Sequence, residues 1–537
     1  MNFKKSKKAI FLKHYKYKDY LKNIVPCLGY GLLCGTIVGA LIFLFKFLAK
    51  LLEENARFVY GYIRTNLWLL PVLIVGLVGC ALVMNVLHKK IPAVKGGGIP
   101  RSEGILRGVL SFKWLKTLLG TFFGSMLSFF VGLPLGSEGP AVLIGTSVGG
   151  MCDNLSKSKS AWGRCIMTGG AGAGFAVATG APLAAILFTL EEIHKKFTAM
   201  LMLMVSISVL SASFVNSYLC SVFGMSPSLF EFETLPRFEL KHSGYLLLFG
   251  LLIALAVGVF DGSVEWVYKI TRKVSGRFAH VVKLVIFFLL TGCLGLVFDG
   301  AIYSGHDVIE NVMVRSESLW LLFLLLVARL VMMLLATNSA ATGGIFIPTL
   351  AIGALFSAFF ANLMLLIGMP TEYFTALVLL GMCAFLGGTL RAPITALVFF
   401  VEITGSAFNV MFAGAVVFAV NFIIEMYDEK PFYDRVLASM EKAEHKDKTL
   451  TVKYFCTKVS KGAFVVGKPV RDILWPHASV IVSITRDGKD FSDTDNDGEK
   501  RLYEGDSIII RARCYDEEEI IDHLYDLMGR DHEIEIA

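Results

Sequence analysis

Few residues in this chain are able to do chemistry, and they sit in apolar company. Residues 132–145 read G-L-P-L-G-S-E-G-P-A-V-L-I-G, and Glu138 is the one charged side chain among them. A lone carboxylate in hydrocarbon is costly, so inside a membrane it marks a functional position by default. Two other stretches also set glycines just before a proline: K-G-G-G-I-P (Lys95 to Pro100) and G-G-I-F-I-P (Gly343 to Pro348). In each case the proline opens a new run, which suits a helix N-terminus. The first amides of a helix are unpaired and lie at the positive end of its dipole. Several such ends meeting at one point make an anion site without a full positive charge. Further on, L-F-T-L-E-E-I-H-K-K-F sets Glu191 and Glu192 at the end of an apolar run, beside His194, Lys195 and Lys196. Such a carboxylate relays protons if burial raises its proton affinity; the alternative is an interfacial acid paired with those lysines.

Elements that could position these residues must cross a membrane. The 537 residues are 55% hydrophobic and only 18% charged, against about 25% charged in soluble domains. Apolar blocks recur from residue 28 to 426, including 28–50, 68–88, 112–133, 199–224, 243–268, 281–300, 318–337 and 410–426. A bilayer-spanning helix needs roughly 20 such residues. The fold class is therefore an all-α polytopic membrane protein. The first 22 residues hold eight lysines and one aspartate, with no apolar core of signal length. The positive-inside rule puts this basic segment, 1–27, in the cytoplasm, either along the inner leaflet or free in solvent. A net charge of +7 fits basic cytoplasmic loops and needs no nucleic acid. Ten cysteines are scattered singly with no metal spacing, so they read as reduced thiols, with no metal site implied.

The membrane part repeats itself. A-P-L-A-A-I-L-F-T-L-E (Ala181 to Glu191) matches A-P-I-T-A-L-V-F-F-V-E (Ala392 to Glu402), and P-A-V-L-I-G (Pro140 to Gly145) matches P-T-L-A-I-G (Pro348 to Gly353). These pairs imply two related halves, about 28–225 and 240–436. Paired broken segments in corresponding positions of two halves point to a transporter's binding site.

The three loops together, in this order and spacing, resemble the CLC family of chloride channels and proton-coupled chloride transporters over residues 28–436. The resemblance implies an inverted repeat of broken, tilted helices, and a homodimer with one pathway per subunit. It makes Glu138 the gating glutamate, a tethered and protonatable anion that competes with chloride for one position. It makes Glu192 the intracellular proton-transfer glutamate. Tyr433, in P-F-Y-D-R, becomes the tyrosine whose hydroxyl faces the central anion. Ile345 and Phe346 contribute backbone amides to that anion, and Gly97, Gly98, Ile99 and Gly139 complete the anion-binding set. Two positions depart from the family pattern. Gly97 stands where chloride-selective members commonly carry serine, leaving the order among chloride, nitrate, bromide and fluoride open. Ser137 replaces a usual arginine, removing a positive charge beside the gate.

Residues 437–449 read as a linker, and 450–537 form an acidic domain with 12 basic against 18 acidic residues. Its expected order is strand, helix, strands, helix. With V-V-G-K-P-V-R-D-I and Y-E-G-D-S-I-I-I it resembles the small TrkA-C (RCK-C) regulatory domain, some members of which bind nucleotides such as cyclic di-AMP. D-T-D-N-D-G-E-K-R-L-Y-E (Asp493 to Glu504) fits a calcium-loop pattern, but strands flank it and Lys500 takes an apolar position, so a charged turn is the better reading. The expected protein is an anion/proton antiporter of the plasma membrane, not an enzyme and without cofactor, with both termini cytoplasmic. Its partners are chloride or a related anion, protons and lipid. A passive gated anion channel is the alternative.

Overall fold

The computed structural model describes residues 3–536 apart from 156–161, 231, 233–234, 272–275, 277, 315–317, 428–429, 447, 477 and 491–496; for 3–23, 26–27, 314, 489, 497 and 519 it describes the backbone. The side chains of the basic leader, and the Asp493–Asn496 part of the acidic loop, lie outside the described residues.

Seventeen helices precede the C-terminal domain among the described residues, eight in each half and one beyond. The first half holds α1 (Phe3–Thr65), α2 (Leu70–Lys90), α3 (Gly98–Arg107), α4 (Trp114–Val131), α5 (Glu138–Leu155), α6 (Gly163–Thr179), α7 (Pro182–Phe188) and α8 (Ala199–Phe223). The second holds α9 (Ser243–Thr271), α10 (Ala279–Val297), α11 (His306–Val314), α12 (Leu319–Ser339), α13 (Phe346–Leu366), α14 (Phe374–Leu390), α15 (Pro393–Thr404) and α16 (Val410–Glu425). Then α17 (Phe432–Glu444) leads out. Among the described residues, ten helical stretches are long and apolar enough to cross a membrane.

The two halves clasp each other reciprocally. Glu191, at the end of the first repeat motif, accepts hydrogen bonds from the Ile394 and Thr395 amides at the start of α15 (3.2 and 2.7 Å). Glu402, its counterpart, accepts from the Leu183 and Ala184 amides at the start of α7 (2.9 and 2.8 Å). Each proline-opened helix thus has its orphan amides capped by the glutamate that closes the other half. This exchange is what an inverted repeat requires.

Lipid gives helices no hydrophobic reason to associate, so small residues must let backbones touch. That is why α6 reads G-G-A-G-A-G. A Cβ on Gly145 of α5 would stand 2.1 Å from the Gly170 carbonyl oxygen, and one on Gly174 would stand 2.2 Å from that of Ala141.

Residues after 450 form a five-stranded antiparallel sheet ordered β3-β2-β4-β1-β5: β1 Thr451–Lys458, β2 Ser479–Arg486, β3 Lys489–Asp490, β4 Ser507–Cys514 and β5 Glu535–Ile536. One helix, α18 (Glu517–Met528), packs Leu524 and Leu527 against Phe455 and Ile510. Asp516 caps it by accepting from the Glu518 amide. Two expectations are corrected. The first helix expected here is a single 3-10 turn, Val470–Asp472, because Pro469 and Pro476 bracket the segment. The stretch expected to be a linker continues α17 as far as Glu444. The domain meets the membrane part where Phe464 packs edge-on against Trp162, with centroids 4.9 Å apart, and Lys468 lies over both rings.

Candidate functional site

Backbone, not side chains, builds the centre. Gly98, Gly139 and Gly344 come from the three glycine-proline loops and press against one another. A Cβ on Gly98 would stand 2.0 Å from the Gly139 carbonyl oxygen. One on Gly139 would stand 2.8 Å from the Gly344 Cα, and one on Gly344 would stand 2.7 Å from the Gly139 nitrogen. Only glycine allows this approach. Gly136 and Gly344 also pair as a two-bond antiparallel bridge between the halves (2.7 and 2.8 Å). The N-termini of α3, α5 and α13 are thereby drawn together, and their first amides and dipoles favour an anion there. Thr342 fastens the arrangement: its hydroxyl donates to the Val94 carbonyl (2.8 Å), and His88 Nε2 lies 3.0 Å from it.

Glu138 is the first residue of α5 and wholly buried. Its Oε1 accepts from the Ser137 hydroxyl at 3.1 Å, and its carboxylate folds back over Gly136, with Oε2 2.2 Å from where a Cβ there would be. Oε2 has no hydrogen-bond partner among the described residues. The charges Glu138 feels are on α1: Lys46, which attracts it, and Glu53, which repels it. Lys46 also donates to the Val177 carbonyl at 3.0 Å. The attractive charge acting on Glu138 thus comes from another helix and not from position 137.

The adjacent glutamates separate cleanly. Glu191 is committed to capping α15, as described above. Glu192 is 2% exposed and faces inward, with its Oε1 lacking a hydrogen-bond partner among the described residues. Lys195 Nζ lies 3.7 Å from its Oε2. Tyr433, the second residue of α17, is 1% exposed and lies within the fields of Glu192, Glu138 and Glu103, in that order of strength. Both carboxylates singled out by sequence thus act on it.

Gly97, Ile99, Ile345 and Phe346 are brought to the same centre. Ile99 and Phe346 are 1% exposed, and Phe346 packs edge-on against Phe175 (5.0 Å) and Phe399 (6.1 Å). Gly97 differs from its neighbours: the nearest contacts of a Cβ there would be the Ile345 side chain and the Pro100 ring, at 3.6 and 3.7 Å. Its backbone is extended (φ −70°, ψ 132°), so nothing steric requires glycine. The missing hydroxyl is a chemical choice.

Lys46 and Glu103 were not singled out in the sequence, and Lys195 was named only as the ion-pair partner of an interfacial acid. Glu103 lies in R-S-E-G-I-L, where it reads as an ordinary helical acid, and Lys46 as an interfacial lysine. The one available signal for Glu103 and Lys46 was their placement five and seven residues after a glycine, Gly98 and Gly39, which is too common to weigh.

Two related halves of broken membrane helices, converging on a buried carboxylate and a tyrosine, define a membrane ion-transport protein. Residues 79–425 match the family described as voltage gated chloride channel, and the chain belongs to that family, the CLC proteins. It is 29% identical over 382 residues to the H(+)/Cl(-) exchange transporter ClcA of Vibrio campbellii, covering 69% of this chain and 80% of the relative. The ClcA of Vibrio parahaemolyticus is 30% identical over 385 residues, with the same coverage. Among solved structures, a slow cyanobacterial Cl-/H+ antiporter superposes with a TM-score of 0.71 at 25% identity, over 77% of this chain and 98% of its own. A CLC-type fluoride/proton antiporter shares the fold, with a TM-score of 0.61 at 21% identity over 75% and 96%.

Proposed function

We propose that this protein exchanges chloride, or a closely related anion, for protons across the membrane. The observation that carries the reading is that Glu138, at the convergent helix ends, and Glu192 are both buried carboxylates and both act on the buried Tyr433. Ionised, the Glu138 carboxylate occupies an anion position; protonated, it yields that position to chloride. Glu192 receives protons from the opposite side and passes them towards Glu138. Gly97, Gly98, Ile99, Gly139, Ile345 and Phe346 hold the anion through backbone, with the Tyr433 hydroxyl. No covalent chemistry on a substrate and no cofactor enters this cycle.

The eight lysines of the leader favour a cytoplasmic N-terminus, which puts Glu192 and the C-terminal domain on that side of the plasma membrane. A homodimer with one pathway per subunit follows from the family resemblance. The acidic C-terminal domain acts as a regulator of the TrkA-C kind, answering a small nucleotide such as cyclic di-AMP. Its contact with Trp162 and its direct continuation from α17, which carries Tyr433, support that role.

Proteoliposomes loaded with chloride test the exchange. Chloride efflux should draw protons inward against their gradient, and Glu192→Gln should abolish that uptake while chloride efflux persists. Chloride efflux with no proton movement in the wild type would instead describe a passive channel.

A further inference from the structure

Beside Glu192 lies a charge cluster that the exchange cycle above does not use. Lys195 Nζ bonds both oxygens of Asp434 (2.9 Å each) and lies 3.3 Å from Glu103 Oε1 and 3.7 Å from Glu192 Oε2. Arg107, one turn on from Glu103, reaches Glu103 Oε1 (3.0 Å) and Asp434 Oδ1 (3.5 Å). Three carboxylates thus face two cations, so one negative charge has no partner within the cluster. Glu103 is wholly buried, and neither of its oxygens accepts a hydrogen bond from the described residues. Asp434, held by the same lysine and arginine, adds its negative charge to the field at Glu103. The cluster is graded: Lys195, Arg107 and Asp434 remain 21–25% exposed, whereas Glu103 and Glu192 are closed off.

The backbone is committed to this arrangement. Residues Thr189–Ile193 form a π-helical turn, and Lys195 follows with φ +54°, a conformation that non-glycine residues adopt only when the surroundings demand it. Here that turn carries the ammonium inward among the acids.

We propose that Glu103 and Lys195 are positioning residues that set the protonation of Glu192, with Glu103 as its buried acidic neighbour and Lys195 as the counter-charge that both carboxylates face. The inference rests on the reading of Glu192 as the proton-transfer glutamate. Among the described residues, the charged or titratable groups acting on Glu192 are Lys195 on its own turn, Glu103 and Arg107 from α3, and Asp434 and Tyr433 from α17. The two positioning residues act in opposite senses. Removing the Lys195 ammonium favours protonated Glu192; removing the Glu103 negative charge favours ionised Glu192.

The test is the pH profile of chloride-driven proton uptake by the full-length protein in proteoliposomes. Lys195→Gln should move the midpoint to higher pH and Glu103→Gln to lower pH, each by about one unit, as for a charge at this distance. Lys195→Arg, which keeps the charge, should restore the wild-type midpoint and so separates electrostatics from misfolding. Shifts in the same direction, or none, in a protein whose Glu192→Gln variant has lost proton uptake would overturn this inference alone. Retained uptake in Glu192→Gln would overturn both the inference and the reading beneath it.

Discussion

Glu138 and Glu192 are both buried carboxylates, and their settings are opposites. Around Glu138 the walls are glycine backbone and helix ends, the Ser137 hydroxyl donates to it, and the attractive charge it feels, Lys46, sits on another helix. Around Glu192 the walls are full charges, with Lys195, Arg107, Asp434 and Glu103 packed from three elements. A carboxylate held by partial charges is easily replaced by another anion, because backbone amides favour negative charge of any kind. One held in an ion-pair network is not displaced by chloride, but it trades protons with its neighbours. The first setting suits a gate and the second a proton port.

That contrast is open to attack in order of expected effect. The largest should come from Gly344→Ala. Its new methyl would stand 2.7–2.8 Å from backbone of Gly139 and Gly136, neither of which is free to move. Overpacking of this kind costs about 1–3 kcal/mol and would push the anion loop aside; chloride efflux should collapse. Preserved efflux would mean that the three loops are not the anion site. Next, Glu191→Gln should weaken one helix cap, costing about 1 kcal/mol in thermal stability, while proton coupling survives. Lost coupling with intact stability would move the proton port to Glu191.

A sharper and smaller change is Gly97→Ser. The position has room for a side chain, and an added hydroxyl donor should raise the preference for chloride over nitrate about fivefold, the worth of one net hydrogen bond. No change in the anion order would mean that this residue does not face the ion. The smallest effect is expected from Lys46→Met. Without its attractive charge, Glu138 should take up a proton more readily, so acid activation of anion flux should begin at higher pH, by under about one unit.

Much of the centre was legible because its signals are local. Glycine before proline announces a helix start, and an acid among glycines announces a role, so all three loops and Glu138 could be read from their own neighbours. The repeat was visible as Ala-Pro and Glu at a fixed spacing, although the reciprocal capping by Glu191 and Glu402 needs both halves folded together. What stayed hidden depends on contacts between distant segments. Lys46 sits 92 positions before Glu138, and Glu103 is 89 positions before Glu192. Neither spacing has any meaning until α1 and α3 pack against their partners. The C-terminal domain misled for a local reason: V-V-G-K-P-V-R-D-I has apolar residues at helical spacing, but Gly467 takes φ +78° and Pro469 stops an N-ward helix.

The central claim is that one side chain, Glu138, is both anion mimic and proton carrier. Its most direct test is chloride and proton flux recorded together from proteoliposomes bearing Glu138→Gln. The account predicts chloride efflux without any proton uptake, at a rate no longer dependent on pH in the range where the wild type responds. Continued proton uptake coupled to chloride efflux in that variant would contradict it.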